Sequence, residues 1–299
     1  MKPLISVIIP TYQRRNKLKS TLESILTQTY SNYEVLIMDD GSTDGTKEMV
    51  HSFKDSRIFY NWQKNTGGPG NPRNRGIRLA KGDWIAFLDS DDSWKENKLN
   101  EIYKQINDKN DFIYHDYSVI SDEHIKKKVV RSSYLKDPKS IDLLINGNVI
   151  ALSTVVVRKK LLLNVNGFNE DIRMAACADY NAWLKISHIS KNFFYLPKNL
   201  GYYMVDEYNM SNQDMTIPKK LAIKEFLYLL TNKQKKSLDA KFRYESGCFN
   251  YYKKNYKEAI NLFWVALRFG SLFIKIKSFV RLLKILIEKS INKVTRVNF

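Results

Sequence analysis

Three carboxylates stand within four residues at the end of one apolar run. The run 84–88 is typical of a buried strand, and Asp89, Asp91 and Asp92 follow it directly. Because like charges this close repel one another and lose hydration, their grouping favours a bound cation. Oxygen ligands suit Mg²⁺ or Mn²⁺, hard cations that usually arrive with substrate phosphates. The alternative from these residues alone is an acidic turn or a helix cap, since aspartate is common after strands.

Two earlier apolar runs, 4–9 and 34–38, also end in polar residues. Helically spaced apolar residues such as Leu18, Leu22 and Ile25 separate these runs, so predicted strands and helices alternate. Such alternation predicts an α/β fold with a parallel sheet and right-handed crossovers. Ligands of open parallel sheets bind beyond the carboxyl ends of the strands, so the polar residues are expected at one edge. They are Pro10, Thr11 and Tyr12 after the first run and Asp39 and Asp40 after the second.

The remaining pattern predicts further elements of the same kind, although the periodicity weakens beyond residue 95. The expected helices are 43–53, 72–80 and 178–189. The expected strands are 57–62, 84–88, 112–120, 152–157 and 200–205. A chain of this length can bury a full core.

The charge of the chain is uneven along its length. Of 299 residues, 49 are Lys or Arg and 31 are Asp or Glu, a net charge of +18. Residues 219–299 contribute 19 basic and five acidic side chains, so residues 1–218 are nearly neutral. The composition also changes after Pro218 to Lys, Leu, Tyr and Phe with few turn signals. We therefore predict a body over 1–218 and a basic helical region over 219–299, with helices at 256–269 and 272–287.

The basic region suits an anionic partner, which could be a membrane surface, a nucleic acid or phosphate groups. Within 272–287, Leu272, Ile276, Phe279 and Leu283 fall near one helical face, with Lys and Arg residues interrupting the pattern around it. An amphipathic helix on a membrane fits this pattern. A helical pair packed on the body and a solvated charged surface fit it as well.

Composition disfavours several classes of protein. No stretch approaches the ~18 uncharged apolar residues of a membrane-spanning helix, and Lys2 and Pro3 precede a short strand rather than a signal peptide. Two cysteines cannot form a disulfide framework, which fits a reducing cytoplasm. The four histidines lack zinc-ligand spacing. The turn after the first strand lacks the Gly-x-Gly-x-x-Gly pattern of dinucleotide-dependent oxidoreductases.

Four motifs at matching spacing resemble family 2 glycosyltransferases of the GT-A fold. The motifs are Val7–Tyr12, Leu36–Thr46, Asn74–Ile77 and Phe87–Asp92, and the resemblance covers about residues 4–211. It implies a Rossmann-like, mostly parallel sheet flanked by helices. It also implies an inverting transfer from a nucleotide sugar, with Mn²⁺ or Mg²⁺ as the cofactor.

The resemblance further implies roles for the polar residues at the strand ends. Asp39 would accept a hydrogen bond from a ring N–H of the nucleoside base, and Asp89 would lie near the ribose and the water shell of the metal. Asp91 would ligate the metal. Asp206, where relatives often carry a histidine, is a further candidate ligand for a hard cation. The nucleotide-binding residues implied in this way are Pro10, Thr11, Tyr12, Asp39, Asp40 and Asp89.

A general base is implied near the start of the helix predicted to begin at Ala178. Family members carry Glu-Asp there, shortly after a Gly-Phe-Asx-Glu loop, which stands here as 167–170. Asp179 matches the aspartate and would remove the proton of the acceptor. Ala178 replaces the glutamate, so any acceptor contact made by that side chain is absent. Asp179 could also be a helix N-cap, a role that can coexist with that of a base. Glu170 and Asp171 are the next candidates for the base.

The resemblance implies a bacterial enzyme of surface polysaccharide assembly, of the O-antigen or lipopolysaccharide type. UDP-glucose is the favoured hexose donor and UDP-galactose comes next, from their frequency in the family. The implied acceptor is a saccharide on a polyprenyl diphosphate at the cytoplasmic face of the inner membrane, where the enzyme would be a peripheral protein.

The second hypothesis is a basic nucleic-acid-binding protein without transferase activity, because the chain combines a high positive charge with 18 tyrosines. The charge excess avoids the body that carries the motifs, and no nucleic-acid-binding signature is visible in the sequence. We therefore expect no nucleic acid among the partners.

Overall fold

The computed structural model describes residues 2–121, 128–205 and 213–297, with side chains as far as Glu288. Two compact units divide the chain, Met1–Asn209 and Met210–Phe299. The predicted boundary at Pro218 lies in the first turn of a helix of the second unit. The candidate ligand Asp206 lies outside the described residues, so its role stays a prediction.

The first half of the first unit is built from alternating strands and helices. The elements are β1 (Ile5–Thr11), α1 (Arg15–Leu26), β2 (Tyr33–Asp39), α2 (Thr46–Ser52), β3 (Ile58–Trp62), α3 (Gly70–Leu79) and β4 (Trp84–Phe87). The strands are parallel and lie in the order β3-β2-β1-β4. The alternation predicted from the sequence is confirmed.

The second half of this unit extends the same sheet. The elements are β5 (Ser93–Trp94), α4 (Lys98–Tyr103), β6 (Phe112–Ser121), β7 (Lys128–Val130), α5 (Lys139–Asn146), β8 (Val156–Arg158), α6 (Lys159–Asn164), α7 (Ala178–Ile189) and β9 (Phe193–Val205). The order continues from β4 as β8-β6-β9-β5, and β7 pairs with β6. Strand β8 is antiparallel to β4 and β6, whereas β6 and β9 are parallel. The sheet is therefore mixed, and its parallel character is strongest in β1–β4.

The predicted strand over 152–157 is a 3-10 turn followed by β8. In the turn, the hydroxyl and the backbone N–H of Thr154 both donate to the carbonyl of Ala151, at 2.6 and 3.0 Å. Such local hydrogen bonds compete with the ladder of a sheet, so strand pairing begins only after the turn. The turn contains Ser153, which contributes to the site described below.

Strands β1 and β2 are buried along their whole length, as expected of parallel strands covered on both faces. On one face, apolar residues of β1 pack with Leu18 and Leu22 of α1. On the other face, Gly76 of α3 lies against Ile8 of β1. A Cβ atom at Gly76 would come within 2.7 Å of Ile8 Cγ2, so glycine permits this close approach of α3 to the sheet. Helix α3 is thereby fixed beside the strand ends.

The second unit consists of helices in the part of it that the structure describes. The elements are α8 (Thr216–Ile223), a 3-10 segment (Lys224–Leu229), α9 (Asn232–Tyr252), α10 (Tyr256–Phe269) and α11 (Leu272–Val297). The helices predicted over 256–269 and 272–287 are confirmed, and the second of them continues to Val297. A small core holds the helices together through Tyr251, Ala259, Phe263, Leu282 and Ile285. Among the described residues, no helix is long and apolar enough to cross a membrane.

Candidate active site

The carboxyl ends of β1, β2 and β4 meet at one edge of the sheet. In the parallel register Thr11 pairs with Asp39, and Ile8 pairs with Phe87, the last residue of β4. The polar residues that follow these strands therefore lie side by side, as their positions in the sequence predict. Thr11 is buried, and its hydroxyl has no hydrogen-bond partner among the described residues.

Asp39 is fully buried at the end of β2, and both of its carboxylate oxygens have donors. Oδ1 accepts from the backbone N–H of Ser42 at 2.8 Å, and Oδ2 accepts from the hydroxyl of Tyr60 at 2.6 Å. Burial and the hydrogen bond to Asp39 raise the pKa of Tyr60, so the hydroxyl stays a donor. Each carboxylate oxygen carries a second lone pair, so the fixed side chain retains the capacity to accept a further hydrogen bond.

Asp40 holds the loop that follows β3. Its carboxylate accepts from Gln63 Nε2 at 2.6 Å and from the backbone N–H and the hydroxyl of Thr66 at 3.1 and 2.9 Å. These contacts satisfy a carboxylate that is itself buried. The geometry gives Asp40 a role in shaping the edge beside Asp39, and a contact with a nucleotide stays a prediction.

The loop after β1 forms a basic cleft beside this edge. Gln13 has a positive φ of 52° and is hydrogen-bonded to Ser42 and Thr43 in the loop after β2. Three cationic side chains and one carboxylate line the cleft, which favours an anionic ligand. The cleft has a volume of about 530 Å³ and is lined by Tyr12, Gln13, Arg14, Arg15, Asn16, Lys17 and Asp44. Of these only Tyr12 was among the predicted site residues, although the basic run directly after it is visible in the sequence.

Asp89 and Asp91 each form an ion pair with an arginine. Arg73 on α3 lies 2.6 Å from Asp89, and Arg14 after β1 lies 2.6 Å from Asp91, measured between the nearest nitrogen and oxygen atoms. Both carboxylates remain partly accessible, with side-chain exposures of 29% for Asp89 and 11% for Asp91. Burial and the charge of Asp89 raise the pKa of Asp91, while Arg14 opposes the rise. A pair of mutually repelling oxygen ligands of this kind suits a hard dication.

Asp92 is buried beneath this pair. It accepts from the Ser153 hydroxyl at 2.5 Å and from the backbone N–H of Met204 at 3.1 Å. Because these partners hold Asp92 inside the protein, Asp92 differs from Asp89 and Asp91, which remain partly accessible. Within residues 2–121, 128–205 and 213–288, no three Asp, Glu, His or Cys side chains are grouped as ligands of one metal ion.

Ser153 and Lys98 support the carboxylates from inside the protein. The hydroxyl of Ser153 bonds Asp92 and also accepts the backbone N–H of Asp89 at 3.1 Å. Its carbonyl accepts from Lys98 Nζ and from Trp94 Nε1, each at 2.9 Å. Lys98 is fully buried, and burial lowers its pKa well below the ordinary range. Ser153 thus fixes two members of the cluster, although nothing in the local sequence marks it as part of a site.

Asp179 lies in the first turn of α7, close enough to Asp89 and Arg73 for both charges to affect its pKa. Its carboxylate accepts from the backbone N–H of Tyr180 at 2.7 Å and from Asn148 Nδ2 at 2.9 Å. Burial raises the pKa of Asp179 to about 6, and the charge of Asp89 adds to the rise while Arg73 opposes it. A carboxyl group whose pKa lies near the working pH is well suited to accept a proton.

The geometry agrees less well with an N-cap role for Asp179 and with Glu170 or Asp171 as the general base. Cys177 is the N-cap residue of α7, so the N-cap role considered for Asp179 is wrong. Hydrogen bonds from two asparagines lower the pKa of Glu170. Hydrogen bonds from Arg173 lower the pKa of Asp171 to about 2. Because both groups bind a proton less readily than Asp179, they are weaker bases.

Two of the sequence motifs form one clamp between α3 and the loop before α7. Asn74 accepts the backbone N–H of Phe168 at 2.8 Å and donates to the carbonyl of the same residue at 2.9 Å. Gly167 has a φ of 65°, and a Cβ atom there would lie 2.1 Å from Asn74 Oδ1. The ring centroid of Phe168 lies 5.5 Å from Cζ of Arg73. The clamp therefore holds this loop against the arginine that pairs with Asp89.

A family model and individual relatives of this chain indicate the same family. The family model described as Glycosyl transferase family 2 matches residues 6–162, more than half of the chain. The UDP-Glc:alpha-D-GlcNAc-diphosphoundecaprenol beta-1,3-glucosyltransferase WfgD of Escherichia coli is 35% identical over 184 residues. The aligned region covers 61% of this chain and 69% of WfgD.

Comparison with solved structures gives the same fold at low sequence identity. The crystal structure of S. aureus TarS 1-349 in complex with UDP has a TM-score of 0.62 and 21% identity, and the match covers 90% of this chain and 82% of that one. The mannosyltransferase PcManGT from Pyrobaculum calidifontis, in complex with GDP-Man and Mn²⁺, has a TM-score of 0.60 and 17% identity, covering 96% of this chain and 81% of that one. The strand order, the polar sheet edge and the family match over more than half of its length together show that this chain belongs to glycosyl transferase family 2 and is a glycosyltransferase of the GT-A fold.

Proposed function

We propose that this enzyme transfers a hexose, from UDP-glucose or secondly from UDP-galactose, to a saccharide carried on a polyprenyl diphosphate. The reaction would serve the assembly of a surface polysaccharide of the O-antigen type. The observation that carries the proposal is Asp179, a carboxyl group with a pKa of about 6 beside the pair of Arg73 and Asp89. WfgD, a glucosyltransferase that uses UDP-Glc and a GlcNAc-diphosphoundecaprenol acceptor, supports the choice of donor and acceptor at 35% identity.

The donor nucleotide binds at the ends of β1 and β2 in this proposal. Asp39 accepts a ring N–H of the base with a lone pair that Ser42 and Tyr60 leave available. In this proposal the exposed ring of Tyr12 lies against the base, and the buried Pro10, Thr11 and Asp40 support the binding edge from inside the protein. The basic cleft supports this placement, because its cations match the charge of a diphosphate. The UDP complex of TarS, a protein of the same fold, is consistent with such a donor.

A divalent metal, Mn²⁺ or Mg²⁺, is the proposed cofactor. Asp91 would ligate it, and Asp89 would contact it directly or through water; these are the two accessible carboxylates after β4. Their oxygen-only chemistry and the raised pKa of Asp91 fit such a cation. When bound, the metal would neutralise the negative charge that develops on the leaving diphosphate. Arg14 donates to Oδ2 of Asp91, so Oδ1 is the oxygen that would ligate the metal while this ion pair is kept.

Asp179 is the proposed general base. With a pKa of about 6, this carboxyl group is about 90% ionised at pH 7 and can take the proton of the acceptor hydroxyl. The acceptor oxygen then forms its bond to the anomeric carbon as the bond to the nucleoside diphosphate breaks. Asn148 and the backbone of Tyr180 hold the carboxylate in one orientation for this transfer.

The proposed location is the cytoplasmic face of the inner membrane, with the enzyme as a peripheral protein. A polyprenyl diphosphate acceptor is held in the membrane, so the catalytic unit has to work next to it. The second unit supports this placement through its charge, since residues 219–299 carry 19 basic and five acidic side chains.

A donor screen tests the proposed substrates. The full chain is incubated with a GlcNAc-diphosphate carried on a short polyprenyl chain and with UDP-glucose, UDP-galactose, UDP-GlcNAc or GDP-mannose, and the lipid product is identified by mass spectrometry. We expect a hexose added from UDP-glucose at the highest rate, dependent on Mn²⁺ or Mg²⁺. Transfer from UDP-GlcNAc alone would overturn the hexose assignment, and transfer from GDP-mannose alone would overturn the assignment of a UDP-linked donor.

A second assay distinguishes transferase activity from the nucleic-acid-binding hypothesis. Membership of a transferase family already disfavours that hypothesis. Strong, salt-dependent oligonucleotide binding together with no turnover of any nucleotide sugar would support that hypothesis instead.

A further inference from the structure

Helix α11 is apolar on two opposite sides. Its inner side, Ile274, Ser278, Leu282 and Ile285, is buried. Leu282 and Ile285 pack in the small core of the second unit. This narrow stripe therefore accounts for the attachment of α11 to its own unit.

The other side of α11 is broader and exposed to solvent. Its residues, called the outer face here, are 43–63% exposed: Phe273, Ile276, Phe279, Val280, Leu283 and Ile287. At 3.6 residues per turn these six positions cover an arc of about 120°. Between Leu272 and Glu288 no charged residue projects within this arc, so the Lys and Arg residues that interrupt the sequence pattern lie outside it. Soluble proteins rarely expose an apolar surface of this extent without a partner.

Basic residues border the outer face. On the same helical wheel, Lys277 and Lys284 flank it on one side and Lys275 on the other. Lys277 Nζ lies 4.0 Å from the ring centroid of Phe273, so an apolar member of the face and a cation stand side by side. An apolar arc between rows of lysines is the arrangement of helices that lie in the plane of a membrane interface.

We infer that the outer face of α11 lies in the interfacial layer of an anionic membrane, with the helix axis along the surface. The inference deepens the proposed function and rests on it for its biological setting, since a polyprenyl-linked acceptor is held in such a membrane. Charge favours this occupant over a second copy of the chain. A second copy would bring together two proteins of net charge +18 and place lysine borders against each other, whereas anionic headgroups attract them.

Co-sedimentation of the full chain with phosphatidylcholine vesicles, with or without phosphatidylglycerol, tests the inference. We expect binding to the anionic vesicles that weakens as NaCl rises. The variant Ile276→Gln/Leu283→Gln removes apolar surface without a change of charge, and we expect about a tenfold or greater loss of binding. Its matched control is Leu163→Gln/Ile189→Gln, which alters two equally exposed apolar residues of the first unit and should bind normally.

The lysine border gives a second variant. Lys275→Gln/Lys277→Gln should lower binding to anionic vesicles by about fivefold for each lysine that reaches the surface, and should make the salt dependence shallower. Because the altered side chains are exposed or half-buried, the melting temperature should change little in all of these variants. A Phe279→Trp variant adds a direct readout, since brominated lipids should quench its additional fluorescence if this position enters the membrane.

The outcomes separate this inference from the proposed function. Equal vesicle binding by the wild type and the Ile276→Gln/Leu283→Gln variant, or no quenching at position 279, would overturn the inference even if hexose transfer is found. Conversion of a dimer to a monomer by the same variant, with unchanged vesicle binding, would show that the face joins two copies and would also overturn it. Failure of transfer from every nucleotide sugar to the short-chain polyprenyl acceptor of the donor screen would contradict the proposed function and leave the vesicle result standing.

Discussion

Replacing Asp179 by asparagine separates the proposed chemistry of this side chain from its contacts. The amide keeps the shape and an oxygen that can accept from Tyr180, but it cannot take a proton at neutral pH. Because a general base contributes about 10²–10⁴-fold to a rate, we expect kcat to fall by about that factor. Binding of the donor should hardly change, since the proposed nucleotide contacts lie at the ends of β1 and β2.

The same substitution is expected to stabilise the folded protein at neutral pH. The pKa of Asp179 rises from an ordinary value near 4 to about 6 in the folded state, which disfavours the ionised form by at most about 3 kcal/mol. Asparagine removes this penalty but turns an NH₂ group towards Asn148 Nδ2, whose own Oδ1 already accepts from the backbone of Ile150. This mismatch costs about 1–2 kcal/mol. The net gain expected at pH 7 is therefore about 1–2 kcal/mol.

The pH dependence has a definite sign. Between about pH 4 and pH 6 the folded state binds the Asp179 proton more tightly than the unfolded state does, so this residue lowers stability as the pH rises through that window. The asparagine variant lacks this contribution, and its advantage should be full above about pH 6 and absent below about pH 4. In the wild type, kcat/KM should rise with pH as the base ionises and level off above its pKa.

Urea unfolding at a series of pH values measures the stability, and initial rates at saturating UDP-glucose measure kcat. Asp171→Asn is the matched control, because it removes a carboxylate eight residues earlier in the chain whose pKa is only about 2. Near-normal turnover of Asp179→Asn, or an equal loss in the Asp171 control, would refute the assignment of the base.

Three further perturbations test other parts of the site. Excess EDTA should abolish transfer, and Asp91→Ala should do the same with an unchanged circular dichroism spectrum; full activity in EDTA would exclude the metal. Tyr60→Phe removes the hydroxyl that donates to Asp39 Oδ2. Isothermal titration calorimetry should show UDP binding weakened about fivefold, the equivalent of ~1 kcal/mol. An unchanged Kd would contradict a role of Asp39 in nucleotide binding. Gly167→Ala forces a positive φ on alanine and places Cβ too close to Asn74. The free energy of unfolding measured in urea should fall by about 2–4 kcal/mol. An unchanged urea midpoint would contradict the role of the clamp.

The N-terminal half of the fold could be predicted because its strands are continuous apolar runs. Strands β1 and β2 are buried throughout, and each ends in polar residues that the parallel register brings together. The later elements were harder to predict. Strand β5 has two residues and β8 has three, so neither is long enough to show the alternation of apolar and polar residues that identifies a strand. The first residues of the apolar run 152–157 form a turn rather than a strand, because the hydroxyl of Thr154 donates to the local backbone.

The predicted carboxylates after β2 and β4 lie at the expected edge of the sheet, but their partners were not predictable from local pattern. Arg14 is 77 residues away from Asp91 in the chain, and Ser153 is 61 residues away from Asp92. Only the packed sheet brings such groups together. For the same reason, the buried state of Asp92 could not be distinguished from that of Asp91 in the sequence.

Helix α11 shows a second limit of prediction from the sequence pattern. Its apolar face was visible in the sequence, but the pattern could not show which side of the helix packs. The structure attaches the helix through a narrow stripe that includes Leu282 and Ile285, and leaves the broader face exposed. A truncation from about residue 271 would therefore remove core residues as well as the exposed face, and point variants are the sharper test.

The anomeric configuration of the new glycosidic bond tests the central claim most directly. In the proposed reaction, a single displacement assisted by Asp179 would invert the α-linked glucose of UDP-glucose, so the product should carry a β linkage. The product is made by the full chain with a lipid-diphosphate acceptor, and the linkage is read from the anomeric proton coupling in its NMR spectrum. A β-linked product is the result expected from this account, and an α-linked product would contradict it.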